Sequence, residues 1–179
     1  DASNGRIYLA SGGRKYYVPS SAILAEYRQL GSSQDRSAAE IAAIPSGPDL
    51  GRTVRAANGA VYLVENSQLL HFQSCAQLTA WKQTCGDMPT LEPGHEARML
   101  NMGALNDLVT TEDGAYWLIQ SGTRRQLTDP ARVTPFGYRA EPSAVDAETI
   151  AGITIGHPVV APGDVVRSSD RLQNRVISS

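Results

Sequence analysis

The chain has 179 residues, room for one ordinary domain or a short array of repeats. With 41% apolar and 19% charged residues it can bury a core, which excludes disorder by composition. A formal net charge of −2, from 16 basic and 18 acidic residues, lacks the concentrated basic face of a nucleic-acid binder. No apolar run approaches the roughly 18 residues needed to span a bilayer, and Asp1-Ala2-Ser3-Asn4 does not read as a signal peptide.

The organising signal is an internal repeat. Asn4-Gly5-Arg6-Ile7-Tyr8-Leu9-Ala10 returns as Asn58-Gly59-Ala60-Val61-Tyr62-Leu63-Val64, and again as Asp113-Gly114-Ala115-Tyr116-Trp117-Leu118-Ile119. The Asn-Gly or Asp-Gly pair that opens each copy predicts a two-residue type I′ hairpin turn, because Asn, Asp and Gly tolerate positive φ. A strand precedes the turn in the second and third copies, at Thr53-Val54-Arg55 and Leu108-Val109-Thr110. The Tyr-Leu strand follows it. A second turn, at Ser11-Gly12-Gly13, Asn66-Ser67 and Ser121-Gly122, leads to a third strand ending at Val18, Phe72 and Leu127. Each copy thus begins as a three-stranded antiparallel meander.

Short helices come next. Ser20, Ser74 and Asp129 sit where a side-chain oxygen can cap a first helical turn, and Pro130 suits the first helical position. Apolar residues recur at helical spacing (Ile23, Leu24, Tyr27; Leu78, Trp81; Val133, Phe136), and Gly31, Gly86 and Gly137 stop the helices. A second helix is predicted from the capping-box spacing of Ser37 and Glu40 and from Asp146 before Ile150 and Ile153. Gly47, Gly103 and Gly156 close the copies, and Asp164-Val165-Val166-Arg167 reads as a strand.

The expected fold is therefore α+β and β-dominated: one domain of three tandem repeats (4–57, 58–112, 113–169) with pseudo-threefold symmetry and a shared core. The first copy lacks its own leading strand. Either the C-terminal segment supplies it and closes a ring, with 170–179 as a closing strand, or the array is a piece of a longer chain. Cys75 and Cys85, ten positions apart with no CxxC motif, read as a disulfide and an oxidising, exported location. The alternative is two buried thiols in a cytosolic domain.

Gly5 to Ser20, Ala39 to Gly47 and Gly114 to Asp129 resemble a repeat of secreted, actinobacterial-type proteins, of the form G-x-V-Y-L-V-x-x-G-x-(K/R)-(K/R)-x-I-P-S followed by a short helix and A-x-L-x-x-I-P-x-G. The second copy departs from it where Leu69 and Leu70 replace the basic pair. The resemblance implies an exported, non-catalytic module, often appended to cell-wall hydrolases or other secreted domains, and carries no catalytic residues.

No catalytic or metal motif is present. His71, His95 and His157 form neither HExxH nor HxH, Gly94-His95-Glu96-Ala97 stops short of the former, and there is no phosphate loop, EF-hand or GxSxG elbow. No cofactor is expected. A scattered serine–histidine–aspartate set can still assemble in space, so an enzyme is the third reading behind two binding readings. Glu112 and Asp113, on a turn, read as solvated carboxylates.

Near-equivalent units suit several weak sites for a polymer better than one reaction centre. The first reading is therefore a secreted or cell-surface module that binds a polysaccharide or cell-wall polymer. Its candidate residues are the recurrent aromatics Tyr8, Tyr62 and Trp117, the strand Lys15, Tyr16 and Tyr17, and its counterpart Arg124 and Arg125. Core packing competes for the aromatics, because their strands are apolar on both faces. The alternative is a protein-interaction or inhibitor domain using 87–103, the segment that departs most from the repeat, through Met88, Leu91, Met99 and Met102.

Overall fold

The computed structural model describes residues 5–128, 141–160, 165–167 and 174–176. The chain divides into two compact units, Asp1–Leu105 and Asn106–Ser179. Both are β-dominated; among the described residues the first has four short α-helices and the second has one.

The first unit opens with a hairpin of β1 (Tyr8–Ser11) and β2 (Arg14–Tyr17), in which Tyr8 faces Tyr17 and Ala10 faces Lys15. Gly12 and Gly13 take φ of +57° and +74°, the two left-handed residues of a tight primed turn. α1 (Ser21–Glu26) is capped by the Ser20 hydroxyl, which accepts from Ile23 N–H. A 3-10 turn, Arg28–Leu30, ends at Gly31 with φ of +107°. α2 (Ala38–Ala42) begins in the predicted capping box: Ser37 Oγ accepts from Glu40 N–H, and Glu40 Oε2 accepts from Ser37 N–H. The chain then runs beside β2, with Gly47 N–H donating to Lys15 O and Leu50 N–H to Tyr17 O.

β3 (Thr53–Ala56), β4 (Val61–Glu65) and β5 (Gln68–Phe72) form the predicted antiparallel meander. After α3 (Cys75–Ala80), capped by Ser74, come β6 (Thr90–Leu91), α4 (Pro93–Glu96) and β7 (Leu100–Ala104). β6 adds parallel to β3 and β7 parallel to β5, giving the order β6-β3-β4-β5-β7. The hairpin and this sheet share one core, in which Tyr16, Tyr27, Leu50, Val54, Tyr62, Val64, Leu69, Leu91 and Met99 cluster.

The second unit repeats this sheet order. β8 (Leu108–Thr110), β9 (Tyr116–Gln120) and β10 (Thr123–Leu127) form the meander. β11 (Ser143–Ala144) and β12 (Thr154–Ile155), on either side of α5 (Ala147–Ala151), add parallel at the edges in the order β11-β8-β9-β10-β12. Leu108, Leu118 and Leu127 form its core cluster with Tyr116 and Val159. β13 (Val165–Arg167) pairs antiparallel with β14 (Asn174–Val176). The remainder of the closing segment 170–179, and Asp129, Pro130, Val133, Phe136 and Gly137, lie outside the described residues.

The opening turns of the second and third copies differ from expectation. Gly59 and Gly114 have positive φ but Asn58 and Asp113 do not, so these turns are not type I′. Gly59 N–H donates to Ala56 O while Ala56 N–H donates to Ala60 O, and Gly114 and Thr111 repeat both bonds. This is a type I turn closed by a glycine bulge. Asn58 Oδ1 accepts from Ala60 N–H and Asp113 Oδ1 from Ala115 N–H, which holds each turn residue out of the left-handed region. The primed turns are the second ones, Asn66-Ser67 and Ser121-Gly122, where both residues have positive φ.

Candidate functional site

In the first unit the outer face of the β1–β2 hairpin carries cations and aromatics in alternation. Residues two apart on a strand share a face, so Tyr8 and Ala10 line up with their partners Tyr17 and Lys15. The Arg6 guanidinium lies 5.6 Å from the Tyr17 ring centre, the Tyr17 and Tyr8 rings are 5.8 Å apart, and Lys15 Nζ lies 5.8 Å from the Tyr8 ring centre. Lys15 is held there because Nζ also donates to Ile41 O at the end of α2, at 2.6 Å.

Beside this row is a cleft of about 550 Å³. Ile7, Tyr8, Leu9, Leu24, Ile41 and Ile44 make its apolar lining, and Lys15, Ser32, Ser33, Gln34, Arg36, Glu40 and His95 are its polar groups. A smaller groove of about 430 Å³ shares Ile7, Tyr8, Ser33, Gln34 and Ile41 and carries the concavity on to Arg6 and Asp35. An apolar floor with a few convergent polar groups, at this volume, is the usual character of a small-molecule or saccharide site. The Glu40 carboxyl is held below its usual range, first by the Ser37 N–H and then by the Ser37 hydroxyl, so it stays anionic at the rim.

The structure separates the predicted residues. Tyr8, Lys15 and Tyr17 come together on the hairpin. Tyr16 does not join them: it is 1% exposed and packs inward, because it sits one position out of phase with Lys15 and Tyr17 on β2. Tyr62 is likewise a core residue, buried with its ring centre 5.4 Å from that of His71, so it presents no open face to a ligand. Trp117 is half-buried, with the Arg124 guanidinium 5.1 Å from its ring centre. Arg125 points away from that pair, and its Nε donates to His157 O. Of the segment 87–103, Met88, Leu91 and Met99 are buried and join the interior, so they form no surface. Met102, 50% exposed, and Leu100, 61% exposed, remain on the edge strand β7.

Cys75 and Cys85 form the predicted disulfide, with Cα atoms 5.7 Å apart. Trp81 between them packs edge-on against Phe72 rather than standing exposed. Glu112 and Asp113 are exposed but not idle: Glu112 Oε2 accepts from Ala147 N–H at the start of α5, and Asp113 accepts from Thr111.

One constellation was invisible in the sequence. Ser11 Oγ lies 3.0 Å from His95 Nδ1, and His95 Nε2 lies 3.6 Å from Glu92 Oε1. A serine, a histidine and a carboxylate thus meet across more than eighty residues of chain. Ser11 is 3% exposed and absent from the cleft lining, and its Oγ accepts from Glu92 N–H at 2.9 Å. A nucleophile needs an open path to its electrophile and donors for the oxyanion. What the contacts do is tie the end of β1 to α4.

No family model matches the chain, and no curated protein matches it. Among solved structures it is similar to a chain of the periplasmic assembly from the ESX-5 inner membrane complex, at 11% identity and a TM-score of 0.28, covering 90% of this chain and 59% of that one. It is also similar to a chain of an intact ESX-5 inner membrane complex, at 12% identity and a TM-score of 0.25, covering 93% and 60%. The chain therefore spans less than two thirds of either, and likenesses this low carry no weight for fold or function.

Proposed function

We propose that this chain is an extracytoplasmic, non-catalytic module that binds a surface polymer of carbohydrate character, built from three copies of one supersecondary unit. The observation that carries the binding reading is the cleft beside the first hairpin. It places the flat ring of Tyr8 and the tethered ammonium of Lys15 next to a rim of hydroxyl, amide and charged groups. Sugar rings offer apolar faces to aromatics and hydroxyls to such a rim. The disulfide supports a location outside the reducing cytoplasm.

Three recurrent hydrogen bonds support the repeat. Leu50, Leu105 and Val159 N–H donate to Tyr17, His71 and Gln126 O, which are the matching positions of the three copies. The resemblance to secreted repeat modules agrees with this reading.

Co-sedimentation with insoluble cell walls and with insoluble neutral and acidic polysaccharides, at low salt, tests it. Retention that weakens about tenfold in Tyr8→Ala, a change of ~1.4 kcal/mol, supports the proposal. Protein left in the supernatant with every polymer contradicts it.

A second reading rests on β7. Leu100 and Met102 protrude from the edge of a five-stranded sheet, and an edge strand with exposed apolar side chains is a docking place for a partner protein.

A further inference from the structure

We infer that the second unit carries its own binding subsite, for an anionic sugar residue, formed by Trp117 and Arg124. The inference starts from strand register. Lys15 pairs with Ala10 and stands diagonal to Tyr8; Arg124 pairs with Ile119 and stands diagonal to Trp117. The two hairpins therefore place a cation over an aromatic by the same geometry, at 5.8 Å and 5.1 Å. The middle copy does not: its matching residues are Leu69, 0% exposed, and Tyr62, 6% exposed. The repeat thus supplies two cation–aromatic pairs at partly exposed positions, and its middle copy is given over to the core.

Charge points to the ligand. Arg124 Nε is buried and has no hydrogen-bond acceptor among the described residues. A buried guanidinium N–H without an acceptor is costly, and a carboxylate or phosphate oxygen answers it better than a neutral hydroxyl. Trp117 beside it offers a flat face for a ring. An acidic sugar joins both features in one residue: a ring to stack and an anion for the guanidinium. Arg is suited to this because its planar fork stays charged and stacks while it donates. Only the comparison with the first hairpin rests on the proposed cleft; the Trp117–Arg124 pair stands on its own contacts.

The two tryptophans make the test specific, since Trp81 is buried against Phe72 and Trp117 is half-exposed. In the full chain carrying Trp81→Phe, emission reports Trp117 alone. Oligogalacturonate is the probe, and its methyl ester, with the same rings and no charge, is the control. The expected result is a saturable change in Trp117 emission with the free acid, weakened at least tenfold with the ester and in Arg124→Gln. An unaltered emission at concentrations where calorimetry registers binding that Tyr8→Ala removes would overturn this subsite and leave the cleft standing. Equal responses to acid and ester would overturn the role given to Arg124. Absence of both heat and emission change would overturn the subsite, while binding of neutral polymers by sedimentation still decides the cleft separately.

Discussion

The ring of Tyr16 lies against the backbone of Gly47. A Cβ at position 47 would overlap the Cδ1–Cε1 edge of that ring. Gly47 also donates its N–H to Lys15 O, so the backbone cannot move off without releasing the strand that carries Lys15. Gly156 makes the equivalent bond, to Arg124 O, but there an added Cβ would meet the Cγ of Arg125 at 3.1 Å. One neighbour is a rigid ring in a core and the other a flexible side chain. Gly47→Ala should therefore destabilise by about 2–3 kcal/mol, within the range for overpacking, and Gly156→Ala by less than about 1 kcal/mol. Urea denaturation of the two variants measures the difference.

The disulfide closes a short loop, with a sequence separation of 10. Chain entropy then predicts a loss of about 2.5–3 kcal/mol when Cys75 and Cys85 are both replaced by Ala. Thermal unfolding with and without reductant checks this: the wild type should lose stability on reduction, and the double variant should not respond.

Arg52 is a partly buried cation between two buried carboxylates, 2.7 Å from Glu26 and 3.4 Å from Glu65. Glu26 also accepts from Asn66 N–H at the β4–β5 turn. Removing the cation leaves two carboxylates facing each other without water. Arg52→Met should cost about 3–5 kcal/mol. Arg52→Lys should recover only part, because an ammonium is a point charge and not a fork. The denaturation midpoint of each variant is the readout.

Tyr27 donates its hydroxyl to Gly51 O from a fully buried site. Burial, and secondarily the Glu26 charge, push its ionisation well above the ordinary phenol range. The folded pKa thus lies above the unfolded one. The neutral phenol contributes in full below the unfolded value, about 10, and that contribution fades as pH rises beyond it. Stability should fall as pH rises above about 10, and Tyr27→Phe should show a shallower fall. Equal slopes for the two proteins would show that Tyr27 does not govern this range.

Met102 and Met99 separate surface from core within the segment first considered for a protein interface. Met99→Ala should destabilise by about 2–4 kcal/mol by opening a cavity, whereas Met102→Asp should change stability by less than about 0.5 kcal/mol. Any binding partner that Met102→Asp releases, with the fold intact by circular dichroism, belongs to the edge of β7.

Much of this architecture was legible because its signals are local. Ser20, Ser74 and the Ser37–Glu40 box cap helices where their spacing predicts, and both complete meanders fall at the predicted strands. The edge strands β6, β7, β11 and β12 were not legible. Several are only two residues long, too short for alternation to register, and they owe their pairing to the sheet already in place. At the site, the diagonal approach of Lys15 to Tyr8 follows from register, which the turn at Gly12-Gly13 sets. The burial of Tyr62 needed the tertiary core, because an aromatic on a two-sided apolar strand looks the same whether it is covered or open. The meeting of Ser11 with His95 depends on a chain reversal that no local pattern encodes.

The most direct measurement is amide hydrogen exchange on the full chain with and without a polymer fragment that it retains. Slowed exchange is expected along β1 and β2 and across 32–41, the walls of the cleft. Protection confined to β7, or none anywhere at saturating ligand, would contradict binding in the cleft.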